Sequence, residues 1–398
     1  MEIYWLLLAG LAAFFVAWNN GSNNAANAIG TVVGAGALSL RKALIIAALF
    51  DFLGAILFGR FVSMTIMKGI VDISMIPDST IVIRGMIATL IATGIWVLVA
   101  TWFKIPMSIS EGTVGGVIGF GLAAIGMGMI NWSTVTVIIT SWIVLPVFSG
   151  LMAVALYYVF ERMFKKVHLL PYVAVISLFI MIFSTLFLLM VKTMKLTDLI
   201  YVTVLSTLAG LAGIGCFTIY YRARLIRKKE SMSGELIKAL LLVAAASMAF
   251  SHGANDVANA AGPLSAVIIA LTHGYVPEVV DISVPALAFA AAGIAIGIIS
   301  WGYRVVETIG EKITTLTYSS AFTAQLSASL SVLIVTRLGL PVSTTIAIVG
   351  AVAGVGFAKG FKAVNKRVLF KIFSAWIIAF PIVISMSALI FLGLHLIL

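Results

Sequence analysis

The sequence predicts an all-α membrane protein of about twelve transmembrane segments in two inverted-topology repeats, with discontinuous helices and helical hairpins. Three observations carry this reading. The composition is extremely apolar, the apolar runs have membrane-crossing length, and two polar motifs each occur twice in the same order.

Of the 398 residues, 62% are hydrophobic and only 10% charged. Soluble domains carry about 25% charged residues because their surface needs them. A chain with so little charge faces lipid over most of its exterior. The single cysteine, Cys216, excludes a disulfide framework, and one cysteine with four histidines speaks against a zinc enzyme. The formal charge of +11 does not point to nucleic acid, because the Lys and Arg residues fall in short clusters between long apolar runs. Membrane topology produces that pattern, since cytoplasmic loops retain positive charge.

A helix needs roughly 20 apolar residues to cross the hydrocarbon core. That measure places spans near 3–38, 42–61, 81–103, 105–130, 133–160, 171–191 and 197–221. After a basic loop come 236–271, 284–303, 315–335, 340–358 and 370–396. The N-terminus has Glu2, no basic region and no following cleavage site, so it reads as a retained first span.

Basic residues orient the segments. Arg41 and Lys42 follow the first, Arg162, Lys165 and Lys166 the fifth, and Arg222, Arg224, Arg227, Lys228 and Lys229 the seventh. Lys359, Lys362, Lys366, Arg367 and Lys371 lie about the start of the last. If every segment crosses once, all four clusters share the cytoplasmic side and both termini face outside. A re-entrant fourth segment would change that parity.

The first segment is too long for a simple span. As a straight helix, 3–38 would run roughly 54 Å, against a hydrocarbon core of about 30 Å. Its apolar run stops at Trp18, passes through NNGSNNAANAIG and resumes, which predicts a break near Gly21, with a matching one near Gly253.

The chain repeats itself. WNNGSNNAANAIG at 18–30 matches FSHGANDVANAAG 232 residues downstream, and IPMSISEGTVGGVIG at 105–119 matches LPVSTTIAIVGAVAG 235 residues downstream. Two motifs recurring in order at nearly one spacing mark a duplicated unit. The expected division is a first repeat over 1–160, connecting helices and a basic loop over 161–234, and a second repeat over 235–398. The first Asn motif would enter from outside and the second from inside, an arrangement that puts a binding site near the bilayer midplane.

Polar side chains inside a membrane are costly and mark a pathway. Asn23 and Asn27 lie four apart and share a helix face, as do Asn255 and Asn259, joined by Asp256. Amide, carboxylate and unwound-backbone oxygens make a hard-donor environment for a small cation such as Na⁺. A lone Asn would more often only fasten helices together. Two clusters in register favour an ion and substrate site.

The second motif has Ser108, Ser110, Glu111 and Thr113 after Pro106, and its partner has Ser343, Thr344 and Thr345 after Pro341. Proline followed by hydroxyls is a helix start. Unpaired N–H groups and the positive dipole end there suit an oxyanion, and two facing starts would hold one without Lys or Arg. Asp51, inside the second span, and Gln325 read as functional as well. Arg84, Lys104 and Arg337 read as snorkelling anchors.

GANDVANA at 253–260, its degenerate copy GSNNAANA at 21–28, and GLPVSTT at 339–345 resemble the signatures of the inorganic phosphate transporter (PiT) family, over nearly the whole chain. That resemblance implies a multi-pass protein of the cell membrane that imports phosphate by symport with Na⁺ or H⁺, some members carrying sulfate. It would assign phosphate binding to Asn24, Ser108, Ser110, Thr113, Asn255, Ser343, Thr344 and Thr345. Sodium would fall to Asn23, Asn27, Glu111, Asp256, Asn259 and Gln325, with Asp51 as a further candidate. The partners implied are phosphate, Na⁺ and the bilayer, with no other cofactor and no nucleic acid; a homodimer is left open.

The chain departs from the family at Asn24, where Asp is usual, at Glu111 and Ile346, where many members have His, and at Gln325, where animal members have Glu. Fewer titratable groups leave neutral oxygens that suit Na⁺ over a proton relay. The rival readings are a proton-coupled phosphate importer, a sulfate permease of the same family, and an ion channel, which would want a continuous polar lining. An enzyme would need a convergent nucleophile and base, and His252 alone among the histidines lies in a motif.

Overall fold

The computed structural model describes residues 2–73, 76, 78–166, 170–193, 198–227, 232–276, 283–337 and 343–397. Gly339, Pro341, Lys228 and Lys229 lie outside the described residues, as do the side chains of Arg222, Arg224, Arg227 and Arg337.

The chain is helical almost throughout. Helix α1 (Glu2–Gly34) leads into α2 (Leu40–Lys68) and α3 (Ser79–Trp102). Asp78 caps α3 by accepting from the Thr80 N–H at 2.8 Å, which satisfies one orphan donor of the first turn. An extended stretch at 105–107 then enters the protein before α4 (Ile109–Ala124), and α5 (Trp132–Phe164) follows with Asn131 as its cap. Helices α6 (Leu170–Thr193) and α7 (Leu199–Arg227) pack against each other. The second half begins with α8 (Met232–Asp256) and α9 (Ala258–His273), then α10 (Val284–Trp301), α11 (Tyr303–Glu307) and a π-helical turn at Thr308–Lys312. It closes with α12 (Tyr318–Arg337), α13 (Thr344–Lys359) and α14 (Lys366–Ile397).

Among the described residues, eight helical stretches are long and apolar enough to cross a membrane, against the twelve segments expected. The difference has a physical basis. Helices α4 and α13 have 16 residues each, about 24 Å of rise, the described apolar part of α6 covers only Leu170–Phe183, and α12 is rich in Ser and Thr. The fourth segment nonetheless runs from one end of α3 to the other. Lys104 lies just beyond the α3 C-terminus, while past α4 the Asn131 N–H donates to the Ile70 carbonyl at 2.8 Å, in the stretch leading to α3. Extended chain therefore supplies the part of the segment that helix does not.

The break expected in the first segment is absent. Helix α1 is continuous through Gly21, and the second motif shows only a kink, with Val257 still in right-handed helical geometry between α8 and α9. Asn and Gly are weak helix formers by roughly 0.5–1 kcal/mol each, but here the Asn side chains bond to other helices, which offsets that cost. The glycines serve close approach instead. A Cβ at Gly21 would lie 1.9 Å from the Ile294 carbonyl oxygen, and one at Gly253 would lie 1.9 Å from that of Asp51. The contacts are reciprocal, since Gly297 meets the Trp18 carbonyl and Gly54 that of Phe250, each at 2.0 Å by the same construction. Helix α1 thus rests on α10 as α8 rests on α2.

Contacts at the bundle ends give the helix directions. At one end the Arg84 guanidinium lies over Trp5, 5.9 Å from the ring centroid, and 2.9 Å from His395 Nδ1. At the other, Tyr318 donates to the Gly36 carbonyl at 3.5 Å and Tyr158 to that of Ala358 at 3.4 Å. Leu236 and Leu240, at the start of α8, pack with Val32 and Ala37 at the end of α1. Helices α1 and α8 accordingly run in opposite directions.

Candidate functional site

The polar residues of α1 that matter here lie one helical turn apart. Asn20, Asn24 and Asn27 form a row, flanked by Asn23, and all four are buried. Helix α8 and its continuation supply His252, Asn255, Asp256 and Asn259, also buried. The two rows meet. Asn24 Nδ2 donates to Asp256 Oδ2 at 3.2 Å and to Asn20 Oδ1 at 3.1 Å, while Asn20 Nδ2 donates to the Asp256 carbonyl at 3.1 Å. Asn255 Nδ2 holds the other Asp256 oxygen at 2.8 Å.

Each row reaches a hydroxyl-bearing helix start in the opposite half. Asn27 Nδ2 donates to Thr344 at 3.2 Å and to Thr345 at 2.8 Å, on the first turn of α13. Asn259 Nδ2 donates to Ser110 at 3.4 Å, on the first turn of α4. Thr345 Oγ1 closes the ring, donating to Asn24 Oδ1 and to the Met107 carbonyl at 3.1 Å each. Asn23 holds the extended entry to α4: it accepts from the Met107 N–H at 2.7 Å and donates to Thr101 and the Ile105 carbonyl. Ser108 and Ser343 are equivalent caps, accepting from the N–H groups of Glu111 at 3.3 Å and Ile346 at 3.2 Å.

Two acceptors remain open at matching places. Asn27 Oδ1 and Asn259 Oδ1 are buried with no hydrogen-bond partner among the described residues. An unsatisfied buried acceptor costs about 1–3 kcal/mol, and a small hard cation or its water would satisfy it. No group of three or more His, Cys, Asp or Glu residues able to hold a metal occurs among the described residues. The donors available are therefore amide, hydroxyl and carbonyl oxygens around one carboxylate.

Four expected residues stand elsewhere. Glu111 and Gly115 share a face of α4, and a Cβ at Gly115 would touch Phe380 of α14; Glu111 lines an apolar groove beside α5, α13 and α14. It does not join the amide network. Gln325 closes on the backbone of α1, donating to the carbonyls of Asn27 at 3.3 Å and Ala28 at 3.2 Å and accepting from Thr31 at 2.8 Å. Its geometry fastens α12 to α1. Thr113 donates back to the Ile109 carbonyl at 3.2 Å, one turn along α4. Among the described residues, Asp51 reaches the network through His252.

That histidine joins the site, although the sequence offers it only as the one histidine inside a motif. His252 Nδ1 contacts the Asp51 carboxylate and Nε2 lies 3.2 Å from Asp256 Oδ2, so one imidazole bridges two buried carboxyl groups. The usable signal was its spacing, four residues before Asp256. The matching positions in the other half are Asn20, Asn24 and Ile294, so this chain of titratable groups exists on one side only.

Comparison with known proteins shows the family and the fold. The model of the "Phosphate transporter family" matches residues 20–387. A Thermococcus kodakarensis protein with phosphate permease in its name is 36% identical over 97% of each chain. An Arabidopsis thaliana protein, "Inorganic phosphate transporter 2-1, chloroplastic", is 33% identical over 94% of this chain and 69% of its own. A solved structure titled "The sodium-dependent phosphate transporter" superposes with a TM-score of 0.93 at 37% identity, covering 99% of this chain and 100% of that one.

Proposed function

The chain belongs to the phosphate transporter family, and from that premise we propose that it is a secondary active symporter importing inorganic phosphate with sodium by alternating access. Its family and fold are those of a transporter, not of an enzyme. Phosphate would sit between the starts of α4 and α13, against Ser108, Ser110, Ser343, Thr344 and Thr345, with Asn24 and Asn255 beside it. First-turn N–H groups and the positive dipole ends stabilise an anion there. Sodium would use the amide oxygens of Asn27 and Asn259 together with Asp256.

The observation that carries this reading is the pair of open acceptors at matching places, one on each row, with the Asp256 carboxylate accepting from Asn24 across the two rows. Sodium at those oxygens offsets the Asp256 charge and lowers the repulsion on an incoming phosphate. In a water-poor site this effect is large, because Coulomb energy scales inversely with the local dielectric.

For the architecture, we propose two inverted copies, over 1–160 and 235–398, joined by 161–234. The opposed directions of α1 and α8 and the reciprocal glycine contacts support this. One copy would rock against the other around the midplane site. The basic end, with Arg41, Arg162 and Lys359, would be cytoplasmic in the cell membrane.

A second reading, proton coupling on the same fold, is favoured by the Asp51–His252–Asp256 chain. Radiolabelled phosphate uptake into proteoliposomes separates the two. With separate Na⁺, K⁺ and pH gradients, the sodium reading expects accumulation driven by Na⁺ at fixed pH. Accumulation driven by the pH gradient alone would replace it with the proton reading.

A further inference from the structure

The polar network leaves out one buried carboxyl, and that carboxyl lines a groove whose outer lip is exposed. Glu111 is 4% exposed, and its Oε2 has no hydrogen-bond partner among the described residues. It lies in the wall of a groove of about 830 Å³ between α4, α5, α13 and α14. Apart from the indole N–H of Trp142, unpartnered among the described residues, the rest of the wall is apolar and includes Pro146, Ile346, Phe373 and Phe380. Its outer lip is formed by Ile143, Val147, Leu151 and Ile377, which are 60–76% exposed and so meet lipid. The volume lies in the range of pockets that hold small organic ligands, about 300–1,000 Å³.

We propose that this groove is a ligand site entered from the bilayer, and that it takes a single-chain amphiphile whose ammonium head pairs with Glu111 while its hydrocarbon chain fills the groove. Charge complementarity selects the head. A hydrocarbon chain alone would leave the Glu111 oxygen without a partner. An ammonium donor satisfies that oxygen and places its own charge next to the one carboxyl in the wall. The chain contributes by displacing lipid from Trp142, Phe373 and Phe380, and the small residues Gly150, Gly350 and Gly354 leave room along the α5–α13 seam.

The test uses the purified full-length protein in detergent and does not depend on transport. A hydrophobic carbodiimide reacts with a carboxylic acid from the apolar phase. The acid proton moves to one reagent nitrogen, the carboxylate oxygen bonds to the central carbon, and acyl migration to nitrogen leaves a stable N-acylurea. Nothing departs, so the peptide containing Glu111 gains the whole reagent mass. That adduct is expected to form about tenfold faster with the hydrophobic reagent than with a water-soluble carbodiimide, and about tenfold more slowly in saturating dodecylammonium. Glu111→Gln is expected to lose it while eluting as folded protein. Because the adduct is mapped by peptide mass in the unaltered chain, a variant that failed to fold would not remove the test. Absence of an adduct at Glu111, or faster reaction with the water-soluble reagent, overturns the membrane-facing site. Equal protection by a dodecyl methyl ether, which has the chain without the charge, overturns the ammonium pairing.

Discussion

Asn24 donates a 3.2 Å hydrogen bond to the carboxylate of Asp256, and the two stand 232 positions apart, at matching places in the two copies of one motif. The duplicated unit therefore touches itself at equivalent residues, with an amide on one side and a carboxylate on the other. An amide can donate to its charged counterpart; a second carboxylate would repel it.

That asymmetry sets the first expectation. Asn24→Asp would bring two carboxyl groups into contact distance, and such a pair does not ionise fully together. Phosphate uptake by this variant is expected to acquire a pH dependence absent from the parent, at a fixed Na⁺ gradient. Identical pH profiles for the two proteins would show that the contact is not kept during transport.

Asp256→Asn removes the charge that His252, Asn24 and Asn255 converge on. Removing it takes the charge out of the proposed sodium site, so the gain in phosphate affinity that Na⁺ brings, about 1–3 kcal/mol of coupling, is expected to disappear. Phosphate titrations of the variant in Na⁺ and in choline check this, and a retained Na⁺ effect would remove Asp256 from the sodium site.

Gly21→Ala and Gly253→Ala place a methyl 1.9 Å from a backbone oxygen on α10 or α2. Overpacking of this kind costs about 1–3 kcal/mol or more, because neither helix backbone can yield locally. Both variants are expected to melt lower in detergent. Gly10→Ala, where no atom lies within 4 Å of the added carbon, is expected to melt slightly higher, by up to about 1 kcal/mol of helix propensity.

Asp78 gives a pH effect outside the membrane. Hydrogen bonds from Thr80, side chain first and then backbone N–H, hold its carboxyl below the usual carboxylate range. A depressed folded value means that the cap is fully stabilising above the ordinary value and fades as pH falls through the folded one. Asp78→Ala is expected to lower stability at neutral pH by about 1 kcal/mol and to flatten the acid limb of a melting-temperature profile. Asp78→Asn keeps a capping oxygen and is expected to flatten the limb without the neutral-pH loss.

Much of the site was legible in the sequence because duplication doubles a weak signal. One Asn in a span is ambiguous; Asn27 and Asn259 in register are not, and both retain an open oxygen beside the opposite hydroxyl helix start. The position of the unwound backbone was not legible. Glycine reads as a breaker in a list of residues, but Gly21 is a contact point, and the extended chain occurs before Ile109 instead. Glu111 misled for a related reason. Its neighbour Ser110 turns toward the network, yet one residue of helix rotates a side chain by about 100°, enough to send Glu111 to α14. The sequence shows His252 four residues before Asp256, but Asp51, its other partner, lies 201 residues away and gives no local signal.

The most direct test of the account is phosphate binding to the detergent-purified protein by isothermal titration, in Na⁺ and in choline at matched ionic strength. Sodium and phosphate sharing one site must favour each other, and such coupling amounts to about 1–3 kcal/mol. Phosphate is therefore expected to bind at least about tenfold more tightly in Na⁺. Equal affinities in the two salts would contradict the shared site on which the mechanism rests.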